Sequence, residues 1–181
     1  FYFEGVMGYS ASQVGLIYLI IPAIMVVGAP LTGWIYDKHQ FRYLAATGML
    51  IMAISMMTLG YLAGSAGRDP RLLLLAFASI GIGGVFFQSP NNTEIMRALP
   101  ISKINIASSF TATIRNLGMA LGVSFSGILV SLQLAQAGYF GTLVEASPTL
   151  LSSTISRVII LAGILCIMGT LVSIYRGLNS V

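Results

Sequence analysis

The stretch from Pro30 to Leu44, PLTGWIYDKHQFRYL, separates two long apolar runs and concentrates polar groups. Asp37, Lys38, His39 and Arg42 fall within six residues, although the whole chain carries only nine Lys and Arg and five Asp and Glu side chains. Charges gather in this way where one membrane helix leaves the bilayer and the next one enters it. The stretch therefore predicts a turn between two membrane-spanning helices.

The composition of the chain supports this interpretation. Of its 181 residues, 56% are hydrophobic and 8% are charged, whereas about a quarter of a soluble domain is charged. A helix needs roughly 20 apolar residues to cross a bilayer. Five stretches qualify as spans, at residues 14–36, 43–64, 71–90, 106–132 and 156–175. The sequence therefore predicts an all-α membrane protein with five full transmembrane helices.

The first residues suggest that the chain is a piece of a longer protein. Phe1 to Gly8, FYFEGVMG, is aromatic and lacks an initiator Met. This segment fits the stub of a preceding sixth helix better than a true N-terminus. We therefore interpret residues 1–181 as the C-terminal transmembrane part of a larger membrane protein, embedded in the lipid bilayer.

Several function classes lack the residues that they need. Cys166 is the single cysteine and His39 the single histidine, so ligands for a metal ion are scarce. There is no GxSxG, HExxH or Walker-type loop, and no basic stripe for nucleic acid. We expect no enzymatic activity and no metal, cofactor or nucleic-acid partner.

The distribution of basic residues predicts the orientation in the membrane. One side of the predicted helices carries five of them, namely Lys38, Arg42, Arg97, Lys103 and Arg176. The other side carries three, namely Arg68, Arg71 and Arg157. Because Lys and Arg are enriched in cytoplasmic loops, we expect the first side and the C-terminus to be cytoplasmic, most simply at the inner (plasma) membrane.

The bias in Lys and Arg does not explain two residues of the stretch from Pro30 to Leu44. Positive-inside bias alone accounts for Lys38 and Arg42, which would anchor helix ends at anionic headgroups. It does not account for Gly33 and Asp37. Gly33 permits a neighbouring helix to approach closely, and Asp37 is placed to accept hydrogen bonds from the amides that begin the following helix.

This spacing resembles the cytoplasmic signature of the major facilitator superfamily, Gly-x-x-x-Asp-Arg/Lys-x-Gly-Arg-Arg/Lys. Four positions match it, namely Gly33, Asp37, Lys38 and Arg42. Gln40 and Phe41 replace the usual glycine and arginine. Such departures are typical of the copy in the C-terminal half of the family.

Further stretches extend the resemblance to nearly the whole chain. GYSASQVGLIYLIIPA, at residues 8–23, is similar to the entry of the second helix of the C-terminal bundle in the multidrug:proton antiporter branch, whose members have fourteen spans. GIGGVFFQSPNNTEIMRALP, at residues 81–100, and ASSFTATIRNLGMALGVSFSG, at residues 107–127, resemble the fourth and fifth helices of that bundle. The resemblance implies the last five of six helices, with the missing N-terminal half of the same protein as partner.

The resemblance also implies a function. Members of this branch export small amphipathic compounds, often cationic, by alternating access and in exchange for protons. A non-transporting scaffold or sensor built on the same helices is the main alternative. A membrane-embedded enzyme is a third, but the apolar runs contain no central nucleophile and base.

The polar residues within or beside the spans are the candidates for a substrate path or gate, namely Gln88, Asn91, Asn92, Glu94, Arg115 and Asn116. Arg115 lies about nine residues into its span, roughly 14 Å along a helix. It either faces a cavity or a partner helix, or extends back to the headgroups. The residues from Gln88 to Glu94 either line a cytoplasmic mouth or simply mark a helix end entering water. In the first case Glu94 could pair with Arg97 or Arg115.

Two further expectations concern small residues and carboxylates. Gly118, Gly122 and Ser126 are spaced four apart, which predicts a helix-packing face, with a substrate-lining face as the alternative. No carboxylate falls centrally in an apolar run. We therefore expect the proton-binding group of a coupled carrier in the missing half, with Glu94 as the only substitute here.

Overall fold

The computed structural model describes residues 2–39, 41, 43–65, 69–141 and 146–179, except for the side chains of residues 178 and 179. It contains six α-helices, namely α1 (Ala11–Tyr18), α2 (Ile20–His39), α3 (Leu44–Gly64), α4 (Pro70–Arg97), α5 (Ile104–Gln136) and α6 (Pro148–Asn179). A π-helix at Tyr2–Val6 stands where the helix stub was expected, and a 3-10 turn at Ile101–Lys103 precedes α5. The described residues form no strand, which confirms the all-α class.

Within the described residues, five helical segments are long and apolar enough to cross a membrane, in agreement with the expected number of spans. They are Ala11–His39, Leu44–Gly64, Pro70–Arg97, Ile101–Gln136 and Pro148–Gly177. The first comprises α1 and α2, which meet at Leu19. Pro22 lies one turn beyond this junction and has no N–H to donate to the carbonyl of Tyr18. The chain is an integral membrane protein.

The helices extend beyond the apolar runs that predicted them. Most importantly, α4 continues through the polar residues 91–94 to Arg97, with Pro90 inside the helix. The helix thus extends seven residues past residue 90, where the predicted span ends. A hydropathy count marks where the apolar residues stop, whereas the backbone hydrogen bonds of a helix can continue through polar residues.

Glycines determine how closely the central helices approach. α3 packs on both α4 and α6, and α2 packs on α4. A Cβ on Gly48 would lie 2.7 Å from the carbonyl oxygen of Gly83, and a Cβ on Gly83 would lie 2.7 Å from that of Gly48. On the other side of α3, the hydroxyl of Ser156 donates to the carbonyl of Gly60 at 2.6 Å. The backbones of α3 and its neighbours are therefore in direct contact.

α5 is the least packed of these helices. Its buried residues are Ala107 and Leu134. Nothing lies within 4 Å of a Cβ built on Gly118 or Gly122. The expectation that these glycines pack against a helix is thus not met within the described residues, where their face of α5 is exposed. Ser126 is half-buried and borders a cavity of about 250 Å³.

The charged residues lie mainly at one end of the bundle, where α2, α4 and α6 all end. We call it the charged end and define it by Asp37, Glu94, Arg97 and Arg176. Nearby, the ammonium of Lys38 lies 5.0 Å from the centre of the Trp34 ring. Such an aromatic and cationic pair is typical of the boundary between membrane and water. Arg42, expected to act with Lys38, lies outside the described residues.

Candidate functional site

Glu94 is the centre of a polar network that joins three helices at the charged end. Its carboxylate accepts a hydrogen bond from the hydroxyl of Tyr36 on α2 at 2.8 Å. It also pairs with the guanidinium of Arg176 on α6 at 2.6 Å. Arg176 donates further to the side-chain oxygen of Asn91 at 3.2 Å. The network thus connects the ends of α2, α4 and α6 through one carboxylate.

A second ion pair lies beside this network. Asp37 on α2 accepts from Arg97 on α4 at 2.9 Å, and both side chains are more than half exposed. The same guanidinium lies 5.8 Å from the centre of the Tyr36 ring. Tyr36 therefore contacts both ion pairs, the one of Glu94 and the one of Asp37. The helices α2 and α4 are thus held together by more than one exposed interaction.

Both carboxylates of the charged end have partners on other helices that the sequence did not suggest. Asp37, placed by its position in the sequence to accept from the amides that begin the next helix, accepts from Arg97 on α4. Because α2 continues to His39, Asp37 projects from a helix rather than from a loop. Glu94, for which Arg97 and Arg115 were the possible partners, pairs with Arg176 on α6. Gly33 does lie at a helix contact, because a Cβ there would be 3.4 Å from the hydroxyl of Ser89.

A cleft of about 590 Å³ opens between α4 and α5, with α3 contributing one residue. Its lining is mostly apolar with a group of polar side chains, namely Met52, Gly84, Phe87, Gln88, Asn91, Asn92, Ile95, Phe110, Thr111, Ile114 and Arg115. Large apolar walls with a few converging polar groups are typical of small-molecule sites. We therefore take this cleft as the candidate binding site.

Arg115 crosses this cleft from α5 to α4. It donates to the side-chain oxygen of Asn92 at 3.3 Å. With the Gln88 amide turned so that its oxygen faces the guanidinium, that oxygen accepts from Nη1 at 2.8 Å and from Nη2 at 3.2 Å. Gln88 lies nine residues before the end of α4, about 14 Å along the helix. Arg115 is thus partnered between helices, by neutral amides rather than by a carboxylate.

The structure brings together five of the six candidate path residues. Gln88, Asn91, Asn92 and Arg115 line the cleft, and Glu94 lies in the adjoining network. Asn116 is exposed and is not among the residues that line the cleft. Among the described residues, no three His, Cys, Asp or Glu side chains lie close enough to hold a metal ion.

Comparison with known proteins agrees with this architecture. The family model of the major facilitator superfamily matches residues 1–123, about two thirds of the chain. The chain belongs to the major facilitator superfamily. No solved structure gives a significant match.

Several relatives within the superfamily are similar to this chain. The riboflavin transporter RibZ of Clostridioides difficile is 35% identical over 69% of this chain and 27% of its own length. The uncharacterized transporter YebQ of Escherichia coli is 33% identical over 78% of this chain and 30% of its own length. The multidrug resistance protein Stp of Mycobacterium tuberculosis is 24% identical over 72% of this chain and 24% of its own length. The chain therefore spans less than a third of the length of these transporters.

Sequence reasoning missed several residues of the site in this superfamily member. Tyr36 is buried and hydrogen-bonded to Glu94, but a hydropathy count treats it only as part of an apolar span. Phe87 and Phe110 were counted in the same way, although they are walls of the cleft. The position of Tyr36 next to Asp37 was the one available signal, since it places a hydroxyl beside the charges at the end of the helix.

Proposed function

We propose that this chain forms most of the C-terminal six-helix bundle of a secondary active transporter that exports small amphipathic compounds by alternating access. The observation that carries the proposal is the cleft between α4 and α5, where polar groups converge within apolar walls. One of its polar residues, Gln88, is about 14 Å from the end of α4, within a segment long and apolar enough to span the membrane. A polar site at such a depth is characteristic of a transport path.

The remaining length of the relatives leaves room for a second bundle. In an alternating-access carrier the substrate site lies between two bundles that rock against each other. The exposed faces of α5, including Gly118 and Gly122, would then meet the N-terminal half of the protein. The small-residue spacing thus keeps its proposed packing role, with a partner outside this chain.

The charged end would act as part of the inner gate. It is cytoplasmic in this proposal, since it contains the larger share of Lys and Arg. The pairs Asp37–Arg97 and Glu94–Arg176 hold α2, α4 and α6 together and would favour one of the two access states. Because Glu94 is occupied by Arg176 and Tyr36, the proton-coupling carboxylate is proposed to lie in the other half.

Export rather than another activity is supported by the names of the relatives. Besides Stp, the tetracenomycin C resistance and export protein of Streptomyces glaucescens is 24% identical over 72% of this chain. A riboflavin transporter is also among the relatives, so the proposal is limited to small amphipathic compounds.

Reconstitution of the full-length protein into liposomes tests the proposal. The probes are riboflavin and the fluorescent amphipathic cation ethidium, each measured with and without an imposed pH gradient. We expect saturable flux of at least one probe, accelerated by the gradient. Correctly inserted protein that moves neither probe would favour the non-transporting scaffold or sensor.

A further inference from the structure

The cleft between α4 and α5 has an unbalanced charge. Of the residues that line it, Arg115 is the one with a charged side chain. Its partners in the structure are Gln88 and Asn92, which are neutral. The adjoining carboxylate of Glu94 is engaged by Arg176 at 2.6 Å. The cleft therefore presents a net positive charge to whatever enters it.

The partners of Arg115 are acceptors that a ligand could replace. A guanidinium has five N–H donors in a planar fork, and this fork matches the two oxygens of a carboxylate. A carboxylate adds charge–charge attraction to its hydrogen bonds with a guanidinium, which a neutral amide cannot supply. An anionic group that enters the cleft would thus gain more from Arg115 than Gln88 or Asn92 would lose.

The walls beside the guanidinium suit a flat aromatic body. Phe87 lies on the α4 side and Phe110 on the α5 side, with Met52 and Ile114 completing the apolar surface. Aromatic ligands pack favourably against phenylalanine rings, and methionine adapts to the shape of what it contacts. Apolar walls next to a guanidinium would select a compound that has an aromatic ring system with hydrogen-bond acceptors along one edge.

We propose that this cleft selects planar aromatic anions, with the carboxylate or equivalent acidic group bound by Arg115 and the ring system held between Phe87 and Phe110. The proposal deepens the transport function proposed above and rests on it for its physiological meaning. It reverses the charge preference that the family resemblance implied, because a guanidinium in a mostly apolar cleft repels a cationic ligand.

Equilibrium binding to the full-length protein in lipid nanodiscs tests the proposal with a matched pair of probes. The pair is 9-anthracenecarboxylate and 9-anthracenemethylammonium, which share a ring system and differ in the sign of their charge. We expect the anion to bind at least about tenfold more tightly, the change expected for one charge-assisted hydrogen bond. Arg115→Gln should remove this preference, and Arg115→Lys should keep part of it, since lysine retains the charge but not the fork.

A second variant separates charge selection from a structural role of Arg115. Gln88→Glu keeps the length of the side chain and places a carboxylate against the guanidinium, so it should abolish or reverse the preference for the anion. The control is Asn105→Asp, which adds the same charge at an exposed position of α5 that does not line the cleft. It should leave the preference unchanged.

The outcomes distinguish this inference from the proposed function. Equal binding of the two probes, or a preference unaffected by both Arg115→Gln and Gln88→Glu, would overturn the inference even if the protein transports other compounds. A preference for the anion that Gln88→Glu reverses would support it even in a protein that moves no probe across the liposome membrane. In that case only the transport function would be wrong.

Discussion

The carboxylate of Glu94 and the guanidinium of Arg176 lie 2.6 Å apart, across the interface between α4 and α6 at the charged end. Their side chains are about one third and one half exposed, at 32% and 48%. The contact is therefore partly shielded from solvent, and Tyr36 adds a hydrogen bond from a third helix. Glu94 on α4 thus contacts side chains of two other helices at this end.

A double-mutant cycle measures the strength of this pair. Glu94→Gln and Arg176→Gln should each lower the free energy of unfolding, and their combined effect should be smaller than the sum. We expect a coupling of about 0.5–1 kcal/mol, because the pair is only partly buried. The free energies of unfolding of the wild type, the two single variants and the double variant are measured in detergent, with circular dichroism reporting the loss of helix. Lys38→Gln serves as the control, and coupling of Lys38 to Glu94 of the same size would contradict the assignment.

The pair of Asp37 and Arg97 should affect turnover more than stability. A half-exposed ion pair contributes less than about 1 kcal/mol to the free energy of unfolding. Its loss is too small to unfold the bundle but large enough to shift a balanced equilibrium between two access states severalfold. Asp37→Asn should slow transport by the full-length protein and increase the thiol reactivity of a cysteine at position 88. The charge exchange Asp37→Arg with Arg97→Asp should restore part of the rate. Normal transport and unchanged reactivity in Asp37→Asn would mean that the pair is only a surface contact.

Neighbouring glycines on α4 provide a matched test of helix packing. A Cβ at position 83 would lie 2.7 Å from the carbonyl oxygen of Gly48, whereas no described residue lies within 4 Å of a Cβ at position 84. Gly83→Ala should therefore destabilise the protein by about 1–3 kcal/mol. Gly84→Ala should be neutral or stabilising, since alanine favours helix more than glycine does. Equal effects of the two substitutions on thermal unfolding would show that α3 and α4 are not in backbone contact.

The orientation in the membrane is tested with single cysteines in a Cys166→Ser background. Positions 38, 97 and 176 should be protected from an impermeant thiol reagent added outside intact cells, and position 138 should react. Arg68, also expected outside, belongs to the same test but lies outside the described residues. Labelling of position 38 from the outside would reverse the proposed topology and with it the assignment of the charged end to the cytoplasm.

The number of spans was predictable because apolar length determines it. The course of α4 was not, since Asn91 and Glu94 are polar and end the apolar run, yet they are helical and contact Arg176 on another helix. The partner of Asp37 could not be predicted for the same reason, because it lies 60 residues away on another helix.

Glycines show a similar division. Gly83 on α4 lies in backbone contact with Gly48 on α3. Nothing in the sequence singles out Gly48 as the partner of Gly83, because the two glycines are far apart along the chain. The spacing of Gly118 and Gly122 predicted packing that the described chain does not contain. A periodic pattern of small residues shows that another helix could approach this face closely, but it does not identify that helix.

The contact between Ser156 and Gly60 has a consequence for biogenesis. It joins residues 96 positions apart, so α3 leaves the translocation machinery long before its partner α6 has been synthesised. During that interval the small-residue surface at Gly60 and Gly64 cannot yet be covered by α6. We therefore expect α3 to complete its packing only after α6 has entered the bilayer.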